Sequence, residues 1–166
     1  MNNSERKINP EHIRQVIDMT NSCPYYQLLG MKIVELGSGY ARVEMDAEHK
    51  HMNPFGSVHG GCYASLIDSA TYWAAYWDQD EDAGFTTLDL SVSDLSMARA
   101  GKLVVEATAI KEGRSVCLCE AKITDASGRI IAFGTSKLMM LKGRQSIADA
   151  IRSLGYADLP AKFIEE

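Results

Sequence analysis

One segment, from Asn53 to Trp77, constrains the fold more than any other. Its first part is rich in glycine and proline and predicts a tight loop that ends in His59-Gly60-Gly61. From Cys62 onward, apolar residues recur at the spacing of one helical face, as Tyr63, Leu66, Ile67, Ala70, Ala74 and Trp77. The other positions are hardly more polar, so we expect a helix that is buried nearly all round and that organises the remaining elements.

Asp68 is the only charged residue between His59 and Asp78, and a carboxylate on a buried helix is costly unless it is paired or used. On a continuous helix, His59 and Asp68 would lie on opposite faces, roughly 13 Å apart along the axis. Gly61 and Asp68 would share a face but would still be about 10 Å apart. One chain therefore cannot easily direct the helix N-terminus and Asp68 at one small group, whereas two antiparallel helices of a symmetric dimer could do so.

Composition and charge exclude several classes of protein. The 166 residues, 46% of them hydrophobic and 23% charged, predict a single domain over residues 1–166. The net charge of −5 argues against a nucleic-acid or anionic membrane surface, so we expect neither partner. No run reaches 18 apolar residues and the polar N-terminus is unlike a signal peptide, which predicts a cytoplasmic protein. The four cysteines have no metal-site spacing and are expected to be buried, reduced thiols.

The remaining chain predicts short helices at its two ends and strands between them. Asn9-Pro10-Glu11 is typical of a helix start, and this helix should reach about Thr20. A helical turn is expected over 25–30, a solvated acidic loop over 78–82, a short C-terminal helix over 145–154 and a tail beyond it. The strands are expected at 31–35, 40–46, 86–95, 102–111, 115–125 and 130–141. This order favours an α+β fold in which a curved antiparallel sheet wraps around one long central helix.

The central segment also resembles a known family. The pattern Asn-x-x-Gly-x-x-His-Gly-Gly, with an aspartate nine residues after the histidine, is similar to that of the PaaI-like acyl-CoA thioesterases of the hotdog fold. Here it comprises Asn53, Gly56, His59, Gly60, Gly61 and Asp68. The resemblance covers about 26–141, with an N-terminal helix in 1–25 and a C-terminal extension over 142–166. It implies a homodimer with shared active sites, or a homotetramer of two such dimers.

The resemblance assigns catalytic roles. Helix N-terminal amides are unpaired and lie at the positive end of the helix dipole, and the family points to the Gly60 amide as the donor to the oxyanion. Asp68 of the partner chain would be the general base or the nucleophile. The resemblance implies that Asn53 holds the carbonyl or the water and that His59 positions the thioester. Thr87 would assist the water, or Thr86 if the strand register slips by one residue.

An acyl-CoA is the implied substrate, and no metal or organic cofactor is expected. Its candidate contacts are Phe55, Gly61, Tyr72, Asp94, Arg99 and Arg114. Tyr72, Trp73 and Tyr76 could line an acyl pocket, although an aromatic stripe on a buried helix is more often core. Arg99, Lys102 and Arg114 could meet the phosphates of coenzyme A, although surface cations are usually only solvated. Asp94 and Met97 replace an aliphatic or aromatic residue and a proline of the family pattern, which leaves the acyl group open.

Other functional classes are weaker. Glu48, His49, His51 and His59 lack a convincing third ligand at fixed spacing for a metal site. No Gly-x-Ser-x-Gly motif of a serine hydrolase is present. The serious alternatives share the fold: a hydratase or dehydratase, whose acid and histidine pattern is absent, and a non-catalytic acyl-CoA-binding module.

Overall fold

The N-terminal elements follow from local capping signals. The computed structural model describes residues 7–164. Helix α1 covers Pro10–Asn21, and the Asn9 side chain accepts a hydrogen bond from the Glu11 amide at 3.1 Å. Helix α2 covers Pro24–Leu29 and ends at Gly30, which has a φ of 66° that favours glycine. The predicted helix and helical turn are thus both confirmed.

One antiparallel sheet of six strands dominates the fold, in the order β2-β3-β5-β6-β7-β4. The strands are β2 Met31–Gly37, β3 Tyr40–Ala47, β4 Ala83–Asp94, β5 Gly101–Glu112, β6 Val116–Asp125 and β7 Ile130–Lys142. All six predicted strands are confirmed, and the largest error is at the start of β4, predicted at Thr86 and found at Ala83. The sheet thus has β2 at one edge and the long strand β4 at the other.

Helix α3, Gly60–Tyr76, lies on the inner face of this sheet. The Leu66 and Ile67 side chains are fully buried there against strand residues such as Val105 and Ile123. This confirms the predicted architecture of a sheet around one central helix. The helix begins two residues before Cys62, because His59 caps it.

The expectation that α3 is buried all round is wrong for one stripe. This stripe is only half-buried and consists of Ala64, Ser65, Asp68, Ser69 and Tyr72. These positions recur at helical spacing, so they form one face that a single chain does not cover with its sheet. Asp68 lies in the middle of this face.

The C-terminal residues are not the free tail that the sequence predicted. Helix α4 covers Ile147–Leu154, after which the chain returns to α1 and forms the short strand β8, Phe163–Ile164, which pairs with β1, Lys7–Ile8. The Tyr156 hydroxyl donates to Ser22 Oγ at 2.8 Å.

Lys162 anchors this returning segment to the end of α3. Its Nζ is buried and donates to the Tyr76 and Gln79 carbonyl oxygens at 2.6 and 2.7 Å. Its backbone amide donates to Glu81 Oε1 at 2.8 Å, so the acidic loop over 78–82 is not simply solvated. Burial lowers the pKa of Lys162 to about 8. Sequence patterns missed this contact because the partners are about eighty positions apart.

The four cysteines are free thiols, and three are buried as expected, whereas Cys23 is half-exposed. Among residues 7–164, no helix is both long and apolar enough to span a bilayer.

Candidate active site

The N-terminus of α3 presents one unpaired amide. His59 Nδ1 accepts a hydrogen bond from the Gly61 N–H at 2.9 Å, and the Cys62 N–H donates to the His59 carbonyl oxygen at 2.8 Å. Within the described part of the chain, no group accepts from the Gly60 N–H. The positive end of the helix therefore directs a single free donor outward at Gly60.

The loop before α3 is held by its own hydrogen bonds. Asn53 Oδ1 accepts from the Phe55 and Ser57 amides at 2.9 and 3.3 Å, and Asn53 Nδ2 donates to Ser57 Oγ at 2.8 Å. The Val58 amide donates to the Ala98 carbonyl oxygen at 2.8 Å. Asn53 therefore shapes the loop that orients Gly60. The side-chain oxygen Oδ1 of Asn53 already accepts these two hydrogen bonds from the loop.

A groove of about 1000 Å³ lies beside Gly60. Its apolar wall includes Phe55, which is 92% exposed, and Met97. Arg99 supplies a cation, as predicted, and Arg129 supplies a second that the sequence analysis missed. Arg129 is oriented by Asp125 Oδ2 at 3.1 Å and by the Met97 carbonyl oxygen at 3.1 Å. The groove thus combines apolar surface with two cations.

Asp94 lies against the free amide. A Cβ on Gly60 would lie 2.7 Å from Asp94 Oδ2, which is the end of an exposed side chain that can turn away. The Asp94 side chain is exposed in the groove and also contributes to raising the pKa of Tyr63, for which burial is the larger cause. The departure from the family pattern therefore falls directly at the helix N-terminus.

Asp68 has one oriented partner. Thr87 Oγ1 donates to Asp68 Oδ1 at 2.8 Å, next to an irregularity in the β4 register between Thr87 and Asp89. Of the two alternatives that the sequence left open, Thr87 rather than Thr86 contacts the carboxylate. This hydrogen bond orients one oxygen of Asp68 and leaves the other available.

Gly60 and Asp68 do not meet within one chain. Asp68 lines a separate cavity of about 310 Å³, together with Tyr72 and Trp73. Eight residues of helix separate Gly60 from Asp68, which corresponds to about 12 Å along the axis. Tyr76 lines neither cavity, because its hydroxyl contacts His12 Nε2 at 2.7 Å at the far end of α3.

Two of the predicted cations lie away from the groove. Lys102 Nζ forms ion pairs with Glu44 at 2.7 Å and Asp46 at 4.0 Å. Arg114 follows the end of β5, whereas Arg99 precedes its start, so the length of that strand, about 36 Å, separates them. Arg99 and Arg114 therefore cannot line the same groove of one chain.

The histidines near the loop have structural partners. His51 Nδ1 accepts from the Glu48 amide at 2.8 Å, and Nε2 contacts the Leu29 carbonyl oxygen at 2.9 Å. Both ring nitrogens are thus occupied. Over residues 7–164 no group of three or more His, Cys, Asp or Glu side chains is arranged to hold a metal ion.

The sequence and the fold are similar to those of known proteins. A family model described as the thioesterase superfamily matches residues 55–132. Human acyl-coenzyme A thioesterase 13 is 29% identical over 128 residues, which cover 75% of this chain and 91% of that protein. A 1,4-dihydroxy-2-naphthoyl-CoA hydrolase from Listeria monocytogenes is 28% identical over 119 residues, covering 72% and 97%.

Solved structures show the same architecture. A thioesterase family protein from Silicibacter pomeroyi superimposes with a TM-score of 0.74 at 27% identity, over 80% of this chain and 99% of that one. The family match and these relatives support thioester hydrolysis as the activity. Over residues 55–132 the chain is thus similar to the thioesterase superfamily.

Proposed function

We propose that this protein is an acyl-CoA thioesterase of the PaaI-like group, which hydrolyses its substrate to coenzyme A and a carboxylic acid. Two relatives whose names refer to coenzyme A thioesters support this choice of substrate. The observation that carries the proposal is the free Gly60 amide at the start of α3, on the same helix as an Asp68 carboxylate that Thr87 orients.

The proposed active site is shared between two chains. The Gly60 amide of one chain and Asp68 of the other would face the same thioester, because one chain holds them about 12 Å apart. Strand β4 supports a symmetric homodimer: it is a long edge strand, and its Leu88 side chain is 55% exposed. A long unpaired edge strand is usually paired with or buried by another element or chain. The half-buried face of α3 beside it would be buried by the same partner chain. Two such dimers would form a tetramer.

The chemistry follows from these positions. As the thioester carbonyl is attacked, its oxygen gains negative charge, and the Gly60 N–H donates to it at the positive end of α3. Asp68 either removes a proton from the attacking water or attacks the carbonyl carbon itself. In the first route the C–S bond breaks and Asp68 passes the proton from water to the departing thiolate. In the second route the C–S bond breaks as an acyl–Asp68 anhydride forms, and water then hydrolyses this anhydride and supplies the proton for the coenzyme A thiolate. Arg99 and Arg129 supply positive charge for the coenzyme A phosphates near the groove mouth.

The test is thiol release from a panel of acyl-CoAs by wild type and Asp68→Asn. We expect at least about a hundredfold loss of kcat in Asp68→Asn. Asp89→Asn is the matched control, because Asp89 is a surface carboxylate that pairs with Lys137 at 3.0 Å, and it should retain full activity.

Equal rates for wild type and Asp68→Asn would refute the role of Asp68. If no thioester is hydrolysed while acyl-CoA still binds, the protein is a binding module instead. Because the free thiols suit a reducing compartment, we propose that it acts in the cytoplasm.

A further inference from the structure

The cavity beside Asp68 is walled in part by elements outside the range that the family model matches. Its inner wall is α3, through Tyr72 and Trp73, and Met19 of α1 forms a second wall. The third wall consists of Ile147, Ala150 and Leu154 of helix α4. Helix α4 lies outside the range 55–132 that the family model matches.

The lining of this cavity is mostly apolar, and its polar residues include Thr20, Ser69, Gln145 and Ser146. Trp73 Nε1 donates to the Tyr26 hydroxyl at 3.0 Å, which satisfies the indole. Burial raises the pKa of Tyr26 to about 12, so this phenol is neutral at ordinary pH. Among the lining residues within 7–164, Asp68 is the only charged one. Such a cavity suits an apolar group that is bonded to the thioester carbonyl carbon, the atom attacked by Asp68 or its water.

Helix α4 is a fixed wall. Ser146 and Asp149 form a reciprocal capping box at its start, and Gly155 ends it in a left-handed conformation. The chain leading into it lies directly on β4, because a Cβ on Gly84 would overlap the Arg144 and Gln145 carbonyl oxygens. The wall is therefore anchored at both ends, so that its position is set by the fold.

We propose that this cavity holds the acyl group of the substrate and that α4 closes its far end, so that α4 limits the size of the acyl group. This rests on the proposed function. At about 30 Å³ for each non-hydrogen atom, the cavity volume of about 310 Å³ accommodates about ten such atoms. The substrate class is thus a medium-chain acyl or an aryl thioester, and α4 discriminates against longer acyl groups.

The test compares kcat/KM over a series of straight-chain acyl-CoAs from butanoyl to palmitoyl. Wild type should be fastest near octanoyl or decanoyl and much slower with palmitoyl. Ala150→Trp fills the cavity from α4, and it should lose at least about tenfold with decanoyl-CoA while butanoyl-CoA is hydrolysed as before. Ala148→Trp is the matched control, since Ala148 is exposed on the same helix, and it should behave as wild type.

A second variant, which enlarges the cavity instead of filling it, keeps the test decisive if Ala150→Trp does not fold. Leu154→Ala removes part of the end wall and should shift the preferred acyl group to longer chains. One acyl preference shared by wild type, Ala150→Trp and Leu154→Ala, each folded by circular dichroism, would overturn the inference while leaving thioester hydrolysis intact. A wild type that hydrolyses none of the thioesters would instead refute the proposed function itself.

Discussion

Gly134 sets the distance between the central helix and the sheet. It lies in β7, between Ala121 of β6 and Val92 of β4. A Cβ at this position would lie 2.5 Å from the Ser91 carbonyl oxygen and 3.0 Å from Ile67 Cγ2. The first atom belongs to the backbone of the neighbouring strand, and the second to a fully buried residue of α3. Neither can move alone, so Gly134→Ala must push α3 and β4 away from β7.

The expected cost follows from these two contacts. Overfilling a well-packed core costs about 1–3 kcal/mol, and close contacts on two sides favour the upper end of that range. Replacing glycine by alanine recovers about 0.4–1 kcal/mol through the unfolded chain. The net loss is then about 2 kcal/mol, which corresponds to a fall in Tm of about 4–8 °C for a chain of this size. Because Ile67 precedes Asp68, kcat should fall as well.

Thermal unfolding followed by circular dichroism, at one protein concentration, measures this effect. Gly37→Ala is the control, since the nearest atoms to its Cβ would lie 3.9 Å away, on Tyr40, and its Tm should be unchanged or slightly higher. If Gly134→Ala has the same Tm as Gly37→Ala, then α3 and β4 do not limit the space at Gly134, and the reasoning is wrong.

Two further predictions concern the dimer and the C-terminal segment. Gly60→Pro removes the free amide but suits the first position of a helix after the extended His59, so we expect a folded, inactive protein. Co-refolded with an equal amount of Asp68→Asn, it should recover about a quarter of wild-type activity, because half of the dimers are mixed and each holds one intact site; no recovery would place both groups of a site in one chain. Because burial lowers the pKa of Lys162 from 10.5 to about 8, the unfolded chain binds more protons between these values. The free energy of unfolding of wild type should therefore rise relative to Lys162→Met above pH 8, by about 1.4 kcal/mol per pH unit, and a constant difference in urea unfolding between pH 7.5 and 9.5 would contradict this.

The elements of the core were predictable because their signals are local. Strand alternation located six strands, and the Asn9 cap located α1, since each depends on residues a few positions apart. Asp68 was also identifiable, because a single carboxylate on an apolar helix stands out without any knowledge of its surroundings.

The site itself was only partly predictable. The resemblance indicated Gly60, Asp68 and Thr87, and the structure places Thr87 on Asp68 and leaves the Gly60 amide free. It did not indicate Arg129, which enters the groove because the β6–β7 turn brings it to Met97. Nor did it indicate that Asp94 would lie against Gly60, because these residues belong to elements that meet only across the folded sheet.

By itself, the sequence determined the order and type of the core elements and the isolation of Asp68 on the central helix. Only the tertiary structure decided that α4 walls the cavity beside Asp68 and that Lys162 returns to the end of α3. The reason is physical: periodicity and capping are set by neighbours along the chain, whereas these contacts join segments about eighty residues apart. Their formation depends on how whole faces fit together, which no local pattern records.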